Sequence, residues 1–307
     1  MIYKPAKFYQ LFIFVSMIGI GACNQKKPAI VFQSDFGLKD GAVSAMKGVC
    51  MEVDADLKLF DLTHEIPAYN IWEGAYRLQQ TAPYWPRGTV FVSVVDPGVG
   101  TQRRSVVLKT LSGHFFVTPD NGTLTLVAES LGIEEVRSID EELNRRNNSG
   151  ASYTFHGRDV YAYTAARLAS GVIQFIEIGS LLKDSIVSLK YQRPVLEGDS
   201  ILGNIPVLDI QYGNVWTNIG DTLFRKLNIK PGEVLEISIR NIDSTVYNGI
   251  MPYVSTFGDV ADKQPLAYLN SLMNISFALN MSSFSDSFHV QSGPEWNIVI
   301  QKHKLGK

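Results

Sequence analysis

Apolar runs alternate with amphipathic stretches along this chain as far as Pro194, and the alternation then gives way to short apolar segments separated by turns. Residues 29–32 read as a first strand, and Gln33-Ser34-Asp35-Phe36-Gly37 as the turn that leaves it. Val43, Met46, Val49 and Cys50 recur at helical spacing, so 40–53 is predicted to be a helix with one apolar face. A second strand follows at 57–62, then a helix over 70–81 that Pro83 and Pro86 stop. Thr89-Val90-Phe91-Val92-Ser93-Val94-Val95 has the look of a buried third strand. Short strands at 106–108 and 115–118 flank the Ser112-Gly113 turn, and 121–131 reads as a helix with Gly132 at its C-terminus. The stretch 140–152 is polar and is predicted to be an exposed loop, ahead of a helix over 159–170 closed by Gly171. Strands alternating with helices imply an α/β sandwich around a mainly parallel sheet. Beyond Pro194 the strand-like segments are 198–210, 213–218, 234–239 and 298–301, which predicts a smaller β domain. The expected division is 1–28 as leader and tether, 29–192 as the α/β domain and 193–307 as the β domain.

The leader changes the picture of where the chain works. Lys4 and Lys7 precede an apolar stretch over 11–20 that is short for a membrane span, and it ends in Ile20-Gly21-Ala22-Cys23. Small residues before a cysteine resemble a bacterial lipoprotein signal. Lipidation is therefore expected at Cys23, with Asn24-Gln25-Lys26-Lys27-Pro28 as a tether and a membrane-anchored place on the periplasmic or surface side of the cell envelope. With Cys23 so used, Cys50 is the remaining thiol, and its position on an apolar helix face marks it as buried and inert. A formal net charge of −2 gives no footprint for nucleic acid.

Three polar clusters end predicted strands: Asp35 with Gly37, the Asp96-to-Arg103 segment, and the segment 209–218. The C-terminal edge of a parallel sheet is where ligands bind in open α/β folds. An Asp after the first strand can accept from both hydroxyls of a ribose, and it equally makes a helix cap. Asp96-Pro97-Gly98 is good turn chemistry, while Asp96, Arg103 and a distant His156 together could form an acid–base site. Trp216 between Asn214 and Asn218 suits a nucleobase, a subunit interface or a core aromatic. His64-Glu65 lacks the second histidine of a metalloprotease helix, no His/Cys spacing suggests zinc, and no Gly-x-Ser-x-Gly elbow is present.

Read in order, Ser34-Asp35-Phe36-Gly37-Leu38-Lys39-Asp40, Met46-Lys47-Gly48, Asp61-Leu62-Thr63-His64-Glu65-Ile66-Pro67, 95–103, Pro119-Asp120-Asn121-Gly122, Thr154-Phe155-His156-Gly157-Arg158-Asp159, 212–218 and Tyr268-Leu269-Asn270-Ser271 resemble one family. It is that of the S-adenosyl-L-methionine (SAM) hydroxide adenosyltransferases, relatives of the adenosyl-fluoride and adenosyl-chloride synthases. The resemblance spans roughly residues 29–300. It implies a C-terminal domain like a β-barrel, a homotrimer with sites between subunits, and hydrolysis of SAM to adenosine and methionine with neither metal nor cofactor. It places the family's hydroxide-activating residues on Asp96, Arg103 and His156, and its ribose-binding carboxylate on Asp35. Asp209 falls near the methionine amine, Asn214 at adenine, Tyr69 beside the ribose and Tyr212 stacked on the base; Ser271 joins this substrate-binding set.

The halogenating relatives carry Tyr at the Asp96 position, Ser at the Gly157 position and a long insertion after the Arg103 region, so the resemblance favours hydroxide over halide. Leu272-Met273, Asn274 and Leu279 depart from the family pattern at the adenine end. A different expectation for an exported chain is a SAM- or nucleoside-binding lipoprotein without turnover; a SAM-dependent halogenase is the more distant one.

Overall fold

The computed structural model describes residues 27–304, so the expected lipidation at Cys23 lies outside the described residues. The N-terminal unit contains β1 (Ala29–Ser34), α1 (Ala42–Val53), β2 (Lys58–Thr63), α2 (Ile71–Thr81), β3 (Val90–Val94), β4 (Ser105–Thr110), β5 (Phe115–Pro119), α3 (Thr125–Leu131) and β6 (Ile133–Ser138). One π-helical turn, Gly157–Ala162, then runs directly into α4 (Tyr163–Ser170).

The six strands form one sheet in the order β2-β1-β3-β5-β4-β6. The β1–β2, β1–β3 and β3–β5 pairs are parallel, and only β4 runs against its neighbours. Successive side chains of a strand leave opposite faces, and here both faces are covered. Ile30, Phe32, Val92 and Val94 pack against Met46 and Cys50 of α1 and against Val160 and Ala165. Val31, Phe91, Val106 and Leu108 meet Leu78 of α2 with Leu124 and Val127 on the other side. That two-sided burial makes β1 and β3 read as mainly apolar runs, with Gln33, Ser34 and Ser93 as their polar members. Cys50 is fully buried, donates its Sγ–H to the Ala162 carbonyl oxygen at 3.4 Å, and has its pKa pushed up by burial to about 12.

The C-terminal region comprises β7 (Val195–Glu197), β8 (Ser200–Asn204), β9 (Val207–Asp209), β10 (Asn214–Gly220), β11 (Val234–Arg240), β12 (Thr245–Pro252), β13 (Pro265–Leu269), β14 (Asn274–Leu279) and β15 (Asn297–Lys302). These strands build two antiparallel sheets, β13-β14-β10-β9 and β12-β11-β15-β8-β7. Val215, Ile219, Ile237, Phe277 and Ile300 fill the core they share. The strand orders are open, so the region that was expected to resemble a barrel is a pair of facing antiparallel sheets.

Three local expectations are corrected. The helix foreseen over 121–131 starts at Thr125, because the Asn121 side chain accepts from the Thr123 N–H and hydroxyl and bends 121–124 into a turn. The strand foreseen over 198–210 is broken between β8 and β9, where Pro206 has no N–H to give a ladder. The 140–152 stretch is not simply exposed. Asn144 and Ser149 are buried, Asn144 Nδ2 donates to the Ile178 carbonyl at 2.8 Å, and Arg167 Nη1 donates to the Leu143 carbonyl at 2.7 Å.

Candidate active site

Two strand ends set the floor of the site. Ser34 of β1 pairs with Val94 of β3, which puts Asp35 and Asp96 at the same C-terminal edge of the sheet. Asp35 Oδ2 accepts the Tyr69 N–H at 2.9 Å. Tyr69 has φ 67, a left-handed conformation that costs a bulky residue about 1–3 kcal/mol, and it is held there with its ring exposed. A cavity of about 270 Å³ is lined by Asp35, Phe36, Tyr69, Asp96, Phe155 and His156 among others. Gly157 contributes to the same wall, and a Cβ there would stand 3.0 Å from Val94 Cγ1 and 3.3 Å from Met46 Sδ. The close packing of α1 and β3 thus favours glycine immediately after His156.

Asp96 and Arg103 form a two-pronged ion pair. Arg103 Nε donates to Asp96 Oδ1 at 2.9 Å and Nη2 to Oδ2 at 2.5 Å, with both side chains at most a tenth exposed. Nη2 also lies 2.6 Å from His156 Nδ1, and Nη1 donates to Ser105 Oγ at 2.9 Å. The fully buried Tyr161 donates its hydroxyl to Asp96 Oδ2 at 3.3 Å, and its ring lies under the Arg103 guanidinium. Sequence reasoning therefore singled out Asp35, Tyr69, Asp96, Arg103 and His156, which the structure brings close together.

It missed four neighbours: Ser105, Glu141, Arg145 and Tyr161. Ser105 Oγ donates to Glu141 Oε1 at 2.7 Å, and Arg145 Nη2 donates to Glu141 Oε2 at 2.9 Å while standing 2.7 Å from His156 Nε2. The i,i+4 spacing of Glu141 and Arg145 was the available signal, hidden in a stretch read as solvated.

The electrostatics follow from burial and these contacts. Burial works against the Arg103 charge, but its hydrogen bonds to Asp96 and the nearby Tyr161, Asp96 and Glu141 outweigh that and raise its pKa. Burial pulls the His156 pKa below its ordinary value, and the Arg103 and Arg145 guanidiniums add to this against Glu141 and Asp96. Burial would raise Glu141, yet the Ser105 hydroxyl, His156 and Arg145 together lower it. Burial, with the Asp96 charge next, holds the Tyr161 phenol well above its ordinary value.

The remaining predicted residues lie elsewhere. Asp209, Tyr212 and Asn214 line a second cavity of about 950 Å³ with Tyr268 and Leu279, and Asn214 Nδ2 donates to Asp209 Oδ2 at 3.4 Å. Ser271 lines neither cavity; with Asp209, Trp216 and Leu272 it borders a cleft of about 730 Å³ between the two regions of the chain. Trp216 packs against the Trp72–Tyr76 cluster rather than standing free. Among the described residues, no three His, Cys, Asp or Glu gather in a way that could hold a metal ion.

The profile of the SAM hydroxide adenosyltransferase N-terminal domain matches residues 30–179, and that of the C-terminal domain matches residues 203–297. The chain belongs to the SAM hydroxide adenosyltransferase family. Among its relatives is a Salinispora tropica protein named (R)-S-adenosyl-L-methionine hydrolase, 35% identical over 275 residues that cover 89% of this chain and 98% of that one. A Methanocaldococcus jannaschii protein of the same name is 39% identical over 207 residues, 66% of this chain and 74% of the relative. The Nocardia brasiliensis protein named fluorinase is 28% identical, covering 88% of this chain and 96% of its own. A crystal structure of an uncharacterized conserved protein from Thermotoga maritima superposes with a TM-score of 0.80 at 34% identity, covering 89% of this chain and all of that one. This member of the family thus has relatives named hydrolase and relatives named fluorinase.

Proposed function

We propose that this chain hydrolyses SAM to adenosine and L-methionine, with a water molecule attacking the 5′ carbon in line with the departing sulfur. The observation that carries the reading is the buried Asp96 carboxylate, clamped by both prongs of Arg103 at the wall of a cavity that also presents Asp35 and His156. The relatives named as hydrolases support it. In the reaction a C–O bond forms as the C–S bond breaks, the electron pair goes to sulfur, and the cationic sulfonium leaves as a neutral thioether. The water proton passes to Asp96, whose oxygens keep lone pairs beyond those that Arg103 uses, a general-base contribution of about 10²–10⁴. Arg103 supplies fixed positive charge beside the developing hydroxide in a site sheltered from bulk water. Holding water and the 5′ carbon in line supplies much of the remaining acceleration. A carboxylate at this wall also disfavours a halide, since an anion entering beside Asp96 meets like charge. Adenosine formation from SAM, followed by chromatography, tests the reading. Ligand binding without adenosine points to a binder, and a 5′-halo product at high halide to a halogenase.

The substrate pocket is proposed to be completed between the subunits of a homotrimer. The cavity with Asp35 and Asp96 and the cavity with Asp209, Tyr212 and Asn214 are separate within one chain, and a second copy would bring one to the other. Asp96→Ala and Asp209→Ala proteins should each be inactive alone. Subunit exchange in an equal mixture should restore about a quarter of the wild-type rate, the share of interfaces in which both halves are intact. A mixture as dead as its components rejects the shared site.

Envelope anchoring through Cys23 is proposed from the leader sequence. A Cys23→Ser protein should move from the membrane to the aqueous fraction on cell lysis; equal retention on membranes rejects lipidation there.

A further inference from the structure

Two guanidiniums bracket the His156 ring, and the second comes from the 140–152 stretch. Arg103 Nη2 lies 2.6 Å from Nδ1, and Arg145 Nη2 lies 2.7 Å from Nε2. A guanidinium carries donors and no acceptor. A neutral imidazole can accept at one nitrogen, whereas an imidazolium turns an N–H toward both arginines. Each ring proton therefore opposes one more donor. Glu141 Oε2, 3.4 Å from Nε2, offers an acceptor to a proton on that nitrogen. The state with the fewest conflicts has the proton on Nε2, shared toward Glu141, and the Nδ1 lone pair taking the Arg103 N–H.

We propose that Glu141 and Arg145 are positioning residues of the hydrolytic site: Arg145 opposes a charged ring while Glu141 draws the single ring proton to Nε2, which leaves Nδ1 of His156 to accept from Arg103, so that the Arg103 fork stays seated on Asp96. The pair rests on the reading of the site as hydrolytic, but its geometry does not. Glu141 is moored by the Ser105 hydroxyl and by Arg145, and the Arg145 guanidinium lies 4.7 Å from the Tyr153 ring centroid. Ser105 in turn accepts from Arg103 Nη1, so the outer pair and the inner pair share one hydroxyl. The groups facing the ring are Asp96 and Arg103 from the segment after β3, Glu141 and Arg145 from the 140–152 stretch, the Tyr153 ring and the Tyr161 phenol. Burial and the two arginines lower the His156 pKa while Glu141 and Asp96 oppose them, as the bracketed geometry requires.

Charge removal gives the test its sign. Removing the Glu141 carboxylate makes the surroundings more positive, which lowers the pKa of the ring. Removing the Arg145 charge raises it. The full-length protein, labelled with ¹⁵N in its five histidines, is titrated by NMR, and His156 is assigned by comparison with His156→Gln. The wild-type ring should show the Nε2–H tautomer. Its midpoint should fall in Glu141→Gln and rise in Arg145→Met, each by on the order of one pH unit for a charge a few ångströms away. The Glu141→Gln/Arg145→Met double variant should return toward the wild-type midpoint, and Arg145→Lys should stay near it. The acid limb of kcat/KM should move with these midpoints, because it reports groups of the free enzyme. Single variants that move the midpoint in the same direction, or leave it in place while activity falls, overturn the proposal and assign the pair a merely structural role. Adenosine formation by the wild-type protein is read separately, so a protein that titrates as expected yet makes no adenosine removes the hydrolase reading alone.

Discussion

Asp96→Asn should lower the rate of adenosine formation by about 10³-fold or more while leaving SAM binding largely intact. The substitution keeps the shape of the side chain and removes its charge. An amide oxygen can still accept one Arg103 prong, but the amide nitrogen turns a donor toward the other, and no base remains for the water proton. Arg103 would also lose its counter-charge in a place where only a tenth of it is exposed. Breaking a buried pair by removing one partner costs about 3–5 kcal/mol, so the variant should melt earlier than wild type. Measuring the rate well below its melting temperature separates the two effects. A folded Asp96→Asn protein with more than about a tenth of wild-type activity would remove Asp96 as the base, since that is smaller than any general-base contribution of 10²–10⁴.

A second large stability effect is expected away from the cavity. Gly179 has φ 156, and a Cβ there would stand 2.1 Å from the Ser138 carbonyl oxygen and 2.7 Å from the Asp140 nitrogen. Both atoms are backbone, and both residues are tied across this contact. Ser138 N–H donates to the Ser180 carbonyl and Asp140 N–H to the Ile178 carbonyl, each at 2.9 Å. Neither side can yield without opening a ladder, so Gly179→Ala should cost about 3 kcal/mol or more. Gly171 is the internal comparison: its φ of 78 is left-handed too, but a Cβ would meet nothing within 4 Å. Gly171→Ala should therefore cost only about 1 kcal/mol, the backbone penalty alone. Denaturant unfolding of both variants checks the contrast, and equal costs would mean that the close approach at Ser138 is relieved by a small shift. Because the ladder at 178–180 leads into Asp140, Gly179→Ala should also loosen the segment that carries Glu141 and Arg145.

The parts of this fold that were legible in the sequence are those where local pattern and tertiary burial agree. β1 and β3 are covered on both faces, so their apolar runs needed no partner to be recognised. α2 announced itself through the Asn70 side chain, which accepts from the Glu73 N–H, and through the prolines beyond its end. β6 went unseen because it is an edge strand whose Glu134, Glu135 and Arg137 give no alternation. β12 and β13 are likewise edge strands, and β14 is a short apolar run that periodicity cannot tell from a helical segment. At the site, Asp96, Arg103 and His156 were legible through the order of their motifs. Glu141 and Arg145 were not, because what makes them matter is a contact with His156 across a loop whose composition looks solvated. The separation of the Asp96 and Asp209 cavities within one chain was foreshadowed only by the family resemblance, since a linear order of motifs carries no distances.

The π-helical turn after His156 has a consequence of its own. A π turn accommodates one residue more than the α-helix it interrupts, and α4 continues from it without a break. Each residue of an α-helix advances the chain by about 100° and 1.5 Å. If the surplus residue were lost and the turn relaxed to α, everything on its N-terminal side would swing by roughly that angle. His156 stands at that boundary, and its ring would leave the gap between Arg103 and Arg145 even with every side chain of the site retained. The site is thus encoded by a residue count as well as by residue identities, and a chain one residue shorter here could match every motif and still lack the arrangement.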